Sequence, residues 1–157
     1  VAESLKGLSG ITNVLEINDT SSFNFGYTFD FADVAALNKA MKIINKEKYD
    51  SKVEEVFQFK GKTFERLAAG DLGEEIKRAM AEEDSDDEGG SMEMVKTMFS
   101  DMSYRQIYHF PDRRVKNSSN ALSVISDDGH TLTITLKPFD EEEQKKKMSV
   151  GTKIKLK

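Results

Sequence analysis

Between residues 23 and 31 an aromatic ring occupies every second position, and that alternation constrains the fold more than any other feature of the chain. Phe23, Phe25, Tyr27, Phe29 and Phe31 are separated by Asn24, Gly26, Thr28 and Asp30. A period of two matches a β-strand, whose successive side chains point to opposite faces, and does not match the 3.6-residue period of a helix. The pattern predicts a strand with five rings on one face. Burying one ring contributes about 2 kcal/mol. A one-residue slip would turn all five rings to water, so the register is firmly set.

Such a face needs a cover, and the next residues supply one. Asp33 is placed to cap a helix of about thirteen residues by accepting the free N–H groups of its first turn. Val34, Leu37, Met41 and Ile44 recur as one stripe, flanked by the small Ala36 and Ala40. Upstream, residues 1–9 read as a short helix stopped by Gly10, and 11–17 as a strand. Downstream, strands are predicted over 53–59, with Val53, Phe57 and Phe59 on one face and Glu55 as the odd member, and over 63–67, joined by the Lys60-Gly61-Lys62 turn. Helices follow over 71–80 and from Ser91 to Met102. Tyr104 to Phe110 alternates as a strand stopped by Pro111, and 112–120 reads as a polar loop. Residues 122–125 and 131–137 flank Asp127-Asp128-Gly129, a hairpin signal. A short helix over 140–148 and a last strand over 150–157 complete the pattern.

The whole is an α+β expectation: an antiparallel sheet of about six to eight strands with three main helices packed on one face. The rings of 23–31 and the stripes of 34–44 and 95–102 are expected to meet in its core. The 157 residues suit a single domain, 1–157, with a mobile acidic loop at 82–91.

Composition excludes several chemistries. The chain has no cysteine, which removes disulfides, thiolate metal sites and cysteine nucleophiles. No apolar run approaches the roughly 20 residues of a membrane-spanning helix. Residues 1–102 hold 12 basic and 21 acidic side chains, whereas 103–157 hold 11 and 7. The acidic total argues against nonspecific nucleic-acid binding, while the basic last third leaves a local anionic contact open. There is no nucleophile elbow, phosphate loop or dinucleotide fingerprint, so no catalytic residue is assigned and the chain is not read as an enzyme. No cofactor is expected.

Three clusters remain. Arg113, Arg114 and Lys116, with Arg105 close in sequence, form a basic group suited to a phosphate or lipid headgroup, or simply a solubilising loop. Asp84, Asp86 and Glu88 with Gly89 fit the first offsets of a calcium loop, but Val95 stands where a bidentate glutamate is required. Met94, Met98 and Met102 lie four apart on a helix and offer thioethers to Cu(I), although flexible methionines also fill uneven cores. His109 and His130 have no metal-ligand spacing to each other.

The stretch Leu8-Ser9-Gly10-Ile11-Thr12-Asn13-Val14, the aromatic strand, Leu37-Asn38-Lys39-Ala40 and the segment Tyr104 to Phe139 together resemble a group of uncharacterised exported lipoproteins of Bacteroidetes-type bacteria. At the level of fold the chain is also distantly similar to mycobacterial-type lipid-binding lipoproteins. The resemblance implies an exported protein of the periplasm or outer-membrane face of the cell envelope, joined to the membrane only by a lipid anchor outside this sequence. The function expected is a non-enzymatic binding or interaction domain, for a lipid or apolar small molecule in a groove between sheet and helices, or for an envelope protein. The alternatives are a periplasmic metal-handling protein using the methionine helix or the acidic loop, and a hydrolase with an unrecognised acidic site.

Overall fold

The computed structural model describes residues 1–21, 24–44, 55–67, 97, 103–140 and 149–157. The chain divides into two compact units, Val1–Phe59 and Lys60–Lys157.

The first unit opens with helix α1 (Ala2–Lys6), followed by strands β1 (Ile11–Asp19) and β2 (Asn24–Phe31), which pair antiparallel. Helix α2 (Val34–Ile44) comes next, and the Asp33 carboxylate caps it by accepting the Ala36 N–H at 2.8 Å. Gly10 precedes β1 at φ +84°, and a Cβ there would stand 3.0 Å from the Ala36 Cβ. Glycine therefore serves both the turn and the close approach of α2. Within β1 the register shifts between Thr12 and Leu15, where Asn13 adopts φ 52° and its amide donates to Asp30 Oδ2 at 2.6 Å. This bulge rotates β1 so that Leu15 faces away from the side on which Ile11 is buried.

The core of this unit joins Leu5, Ile11, Ala36 and Ala40, with Leu8, Val14, Tyr27, Phe29, Ile43 and Ile44 packed around them. Two expectations are corrected. The aromatic face is not wholly hidden: Tyr27 and Phe29 pack into the core, whereas Phe25 is 60% and Phe31 47% exposed. An eight-residue strand spans roughly 27 Å, but the eleven residues of α2 reach only about 16 Å, so the ends of the ring stripe run past the cover. The seated side of α2 is also different. It is the small residues Ala36 and Ala40 that are buried, while Val34, Leu37 and Met41 are only partly covered. Small side chains let the helix come closest to the hairpin.

One polar residue of α2 is buried with them. Asn38 Nδ2 donates to Phe57 O at 2.8 Å, and its Oδ1 accepts from Phe57 N at 2.8 Å and Val56 N at 3.1 Å. A single amide thus gives Phe57 the pair of hydrogen bonds that a neighbouring strand would otherwise supply.

Strand β3 (Phe57–Lys60) leads into the second unit, and β4 (Thr63–Arg66) returns from a tight turn. Gly61 has φ +61° at the first central position of that turn, as a type II′ hairpin requires. Strands β5 (Tyr104–His109), β6 (Val115–Ser118), β7 (Ser123–Ile125), β8 (Thr131–Leu136) and β9 (Thr152–Leu156) follow. They form two sheets, of order β3-β4-β9-β6 and β5-β8-β7, in which β9 runs antiparallel to β4 and β6, and β8 antiparallel to β5 and β7. Alternation explains β8 and β9: Leu132, Ile134, Leu136, Ile154 and Leu156 point inward, and Thr131, Thr133, Thr135, Lys153 and Lys155 point out. Val115 joins these five residues, and Phe64, Tyr104, Tyr108, Phe110, Leu122 and Val150 pack against them. Phe64 packs on Tyr108 and Phe110 with ring centroids 5.6 and 5.9 Å apart.

A polar contact is embedded in this packing. With its amide turned to match its neighbours, Gln106 donates to Tyr108 Oη at 2.8 Å and Val150 O at 3.2 Å, and accepts from Arg66 Nη1 at 3.2 Å. Burial pushes the Tyr108 phenol above its ordinary pKa, with nearby Arg66 working in the opposite direction.

The architecture expected from sequence is therefore corrected. Strands hold 48% of the described residues and helices 17%, and the strands form three small sheets instead of one sheet of six to eight. Two helices are described, not three on one face. Apart from Thr97, which is helical, and Asp140, which is not, the helices predicted over 71–80, 91–102 and 140–148 and the acidic loop at 82–91 lie outside the described residues. No helix is long and apolar enough to cross a membrane among the described residues.

Candidate anion-binding surface

Three basic segments distant in sequence meet at one end of the β4-β9-β6 array. Lys60 and Lys62 flank the Gly61 turn, Arg113, Arg114 and Lys116 enter β6, and Lys155 and Lys157 end β9. Backbone pairing holds them together. Lys155 lies between Thr63 of β4 and Asn117 of β6, and Val115 pairs with Leu156. Leu156 N donates to Lys62 O, and Lys157 N donates to Arg114 O, each at 2.8 Å. Arg113 Nη1 reaches back to Gly61 O at 3.5 Å.

Each segment turns its charges outward for a local reason. In β9 the period of two buries Thr152, Ile154 and Leu156, so Lys153, Lys155 and Lys157 face solvent. In β6 the register shift between Val115 and Asn117 places Lys116 as the extra residue of a bulge, and it is exposed. The Arg114 stem lies along the hairpin at Gly129, its Cβ, Cγ and Cδ each within 3.7 Å of where a glycine Cβ would stand. The apolar stem packs while the guanidinium stays in water.

Among the described residues, acidic neighbours do not cancel this charge. Lys153 forms an ion pair with Glu65 at 3.3 Å. Asp128 is occupied within its own turn, accepting from Ser126 Oγ at 2.6 Å and His130 N at 2.9 Å, which holds its carboxyl below the usual range. Asp112 and Asp127 are exposed on the adjoining turns. Among the described residues Lys60, Lys62, Arg114, Lys116, Lys155 and Lys157 form no ion pair. The described residues of the second unit carry 11 basic and 5 acidic side chains, whereas the whole of 60–157 carries 17 and 19, so the basic character belongs to this surface and not to the unit.

Of the four basic residues singled out from sequence, Arg113, Arg114 and Lys116 lie together. Arg105 lies apart, near the start of β5 on the outer face of the other sheet, opposite Thr135. That face also carries Ile107, and His109 with its Nδ1 3.0 Å from Thr131 Oγ1. His130 is partly buried, with Nδ1 2.8 Å from Phe110 O, which ties the β7–β8 hairpin to the start of the Arg113 loop. Met94, Met98, Met102, Asp84, Asp86 and Glu88 lie outside the described residues. Among the described residues no three acidic or histidine side chains converge as a metal ion requires.

Sequence reading missed Lys60, Lys62, Lys155 and Lys157. A local signal existed, in the Lys-x-Lys-x-Lys alternation at 153–157 and the two lysines of the turn. What was absent was the non-local pairing of β9 with β4 and β6. The 112–120 stretch resembles a loop in sequence because Lys116-Asn117-Ser118 lacks the β-branched or aromatic residues of a strand.

Comparison with protein-family models, with curated proteins and with solved structures finds no match to this chain.

Proposed function

We propose that the chain is a non-enzymatic binding domain of the cell envelope whose ligand is an anionic lipid, engaged at the basic surface of the second unit. One observation carries this reading: the topology gathers the cations of three separate segments onto one sheet end, where six of them lack an acidic partner among the described residues. Exposed, unpaired cations of one sign concentrate anions, and their mutual repulsion is relieved when an anion binds. The envelope setting rests on the resemblance of the Leu8–Val14 and Tyr104–Phe139 segments to exported lipoproteins. The apolar groove expected between one sheet and three helices depended on an architecture that the structure replaces, so the basic surface takes its place.

The test is residue-resolved NMR during titration with a short-chain, monomeric phosphatidylglycerol. The amides of Lys60–Lys62, Arg113–Lys116 and Lys155–Lys157 are expected to shift together. Shifts confined to other regions, or equal shifts with short-chain phosphatidylcholine, would remove the proposal.

A further inference from the structure

We infer that the occupant of this basic surface is the face of an anionic bilayer, touched at several phosphates at once. The inference rests on the anionic-lipid reading above and narrows it. Two features separate a bilayer from a single bound headgroup. First, the cations lie on a sheet end four strands wide, from Lys60 of β3 to Lys116 of β6, roughly 14 Å between the outer strands, which is broader than one phosphate. Second, Lys60, Lys62, Arg113, Arg114, Lys116, Lys155 and Lys157 are all exposed. A pocket for one phosphate would instead bring buried donors to a common point, and these long side chains spread over a surface. The net charge of −5 disfavours nucleic acid, whose many phosphates would also meet the acidic side chains of the chain.

Contact with a plane of charges has a characteristic dependence on lipid composition. Each basic residue near an anionic membrane raises partitioning roughly fivefold, so several together make binding a steep function of the anionic fraction. The attraction also fades beyond a screening length of about 8 Å at physiological salt.

The test is flotation of the full chain with phosphatidylcholine vesicles containing graded phosphatidylglycerol, at low and high salt. Binding is expected to rise more steeply than in proportion to phosphatidylglycerol and to collapse at high salt. Lys155→Gln with Lys157→Gln should lower partitioning roughly 25-fold. Lys60→Gln with Lys62→Gln, on a different segment, should do the same, with the circular dichroism and melting of both variants unchanged. Proportional binding that glycerol phosphate abolishes would overturn the inference in favour of a discrete headgroup site. Tighter binding to duplex DNA than to any vesicle would also overturn it. If vesicles fail to bind while short-chain phosphatidylglycerol still shifts the basic amides, the bilayer inference falls and the lipid reading survives. If neither binds, both fall.

Discussion

Asn38 shows how much one side chain can decide. It is a polar residue on the buried side of a helix, where an unpaired amide would be costly, and its three hydrogen bonds to Val56 and Phe57 remove that cost. Replacing it with alanine leaves the Phe57 N–H and C=O without these partners. Asn38→Ala is expected to destabilise the protein by about 3 kcal/mol, read from the shift in denaturant midpoint. A loss below about 0.5 kcal/mol, as at an ordinary surface site, would show that the clamp contributes nothing. Tyr108 gives a second prediction at this scale. Burial raises its pKa in the folded state above the ordinary value of 10.0. The associated stability is fully present below pH 10.0 and is lost as pH rises through the higher folded-state value. Stability measured against pH should therefore fall on the alkaline side in the parent chain, and that component should be missing in Tyr108→Phe. Parallel curves for the two proteins would contradict this assignment.

Elements differ in how much of their outcome is local. β8 is fully legible: Leu132, Ile134 and Leu136 alternate with threonines, and the structure buries those three leucine and isoleucine side chains completely. Ile134→Ala should cost 2–5 kcal/mol, whereas Val124→Ala on the exposed face of β7 should change stability by less than about 0.5 kcal/mol. Thermal or chemical unfolding of the pair checks the contrast, and equal effects would mean that β8 is turned the wrong way. The Asp33 cap, the Gly10 turn and the Gly61 and Gly129 hairpins were legible for the same reason, since each is set by residues a few positions apart. The aromatic strand was legible as a strand but not in its burial. Periodicity states which side chains share a face and says nothing of how far a covering helix extends. α2 was misread at its seat because the hydrophobicity of Val34, Leu37 and Met41 outweighed the closer approach that Ala36 and Ala40 permit. β6 was missed because a strand held by β9 needs little propensity of its own.

At the scale of the molecule, the division into two units and the gathering of cations depend on pairing across long sequence separations. The strands β4, β9 and β6 join residues near 63, 154 and 117, and no local pattern announces that join. For this reason Arg113, Arg114 and Lys116 were visible from sequence as a short run, while the larger surface completed by Lys60, Lys62, Lys155 and Lys157 was not. Arg105 shows the reverse error: nearness in sequence suggested a site that the strand geometry divides.

The chain lacks cysteine, so a single introduced cysteine can carry a unique spin label. Asn117, exposed beside Lys155, reports on the basic surface, and Leu15, exposed on the first unit, reports on a competing apolar site. In the presence of phosphatidylglycerol vesicles, the label at Asn117→Cys is expected to be immobilised and shielded from a water-soluble relaxation agent, while the label at Leu15→Cys stays mobile and accessible. Immobilisation at Leu15→Cys with none at Asn117→Cys would contradict the claim that the basic end of the β4-β9-β6 array is what meets the membrane.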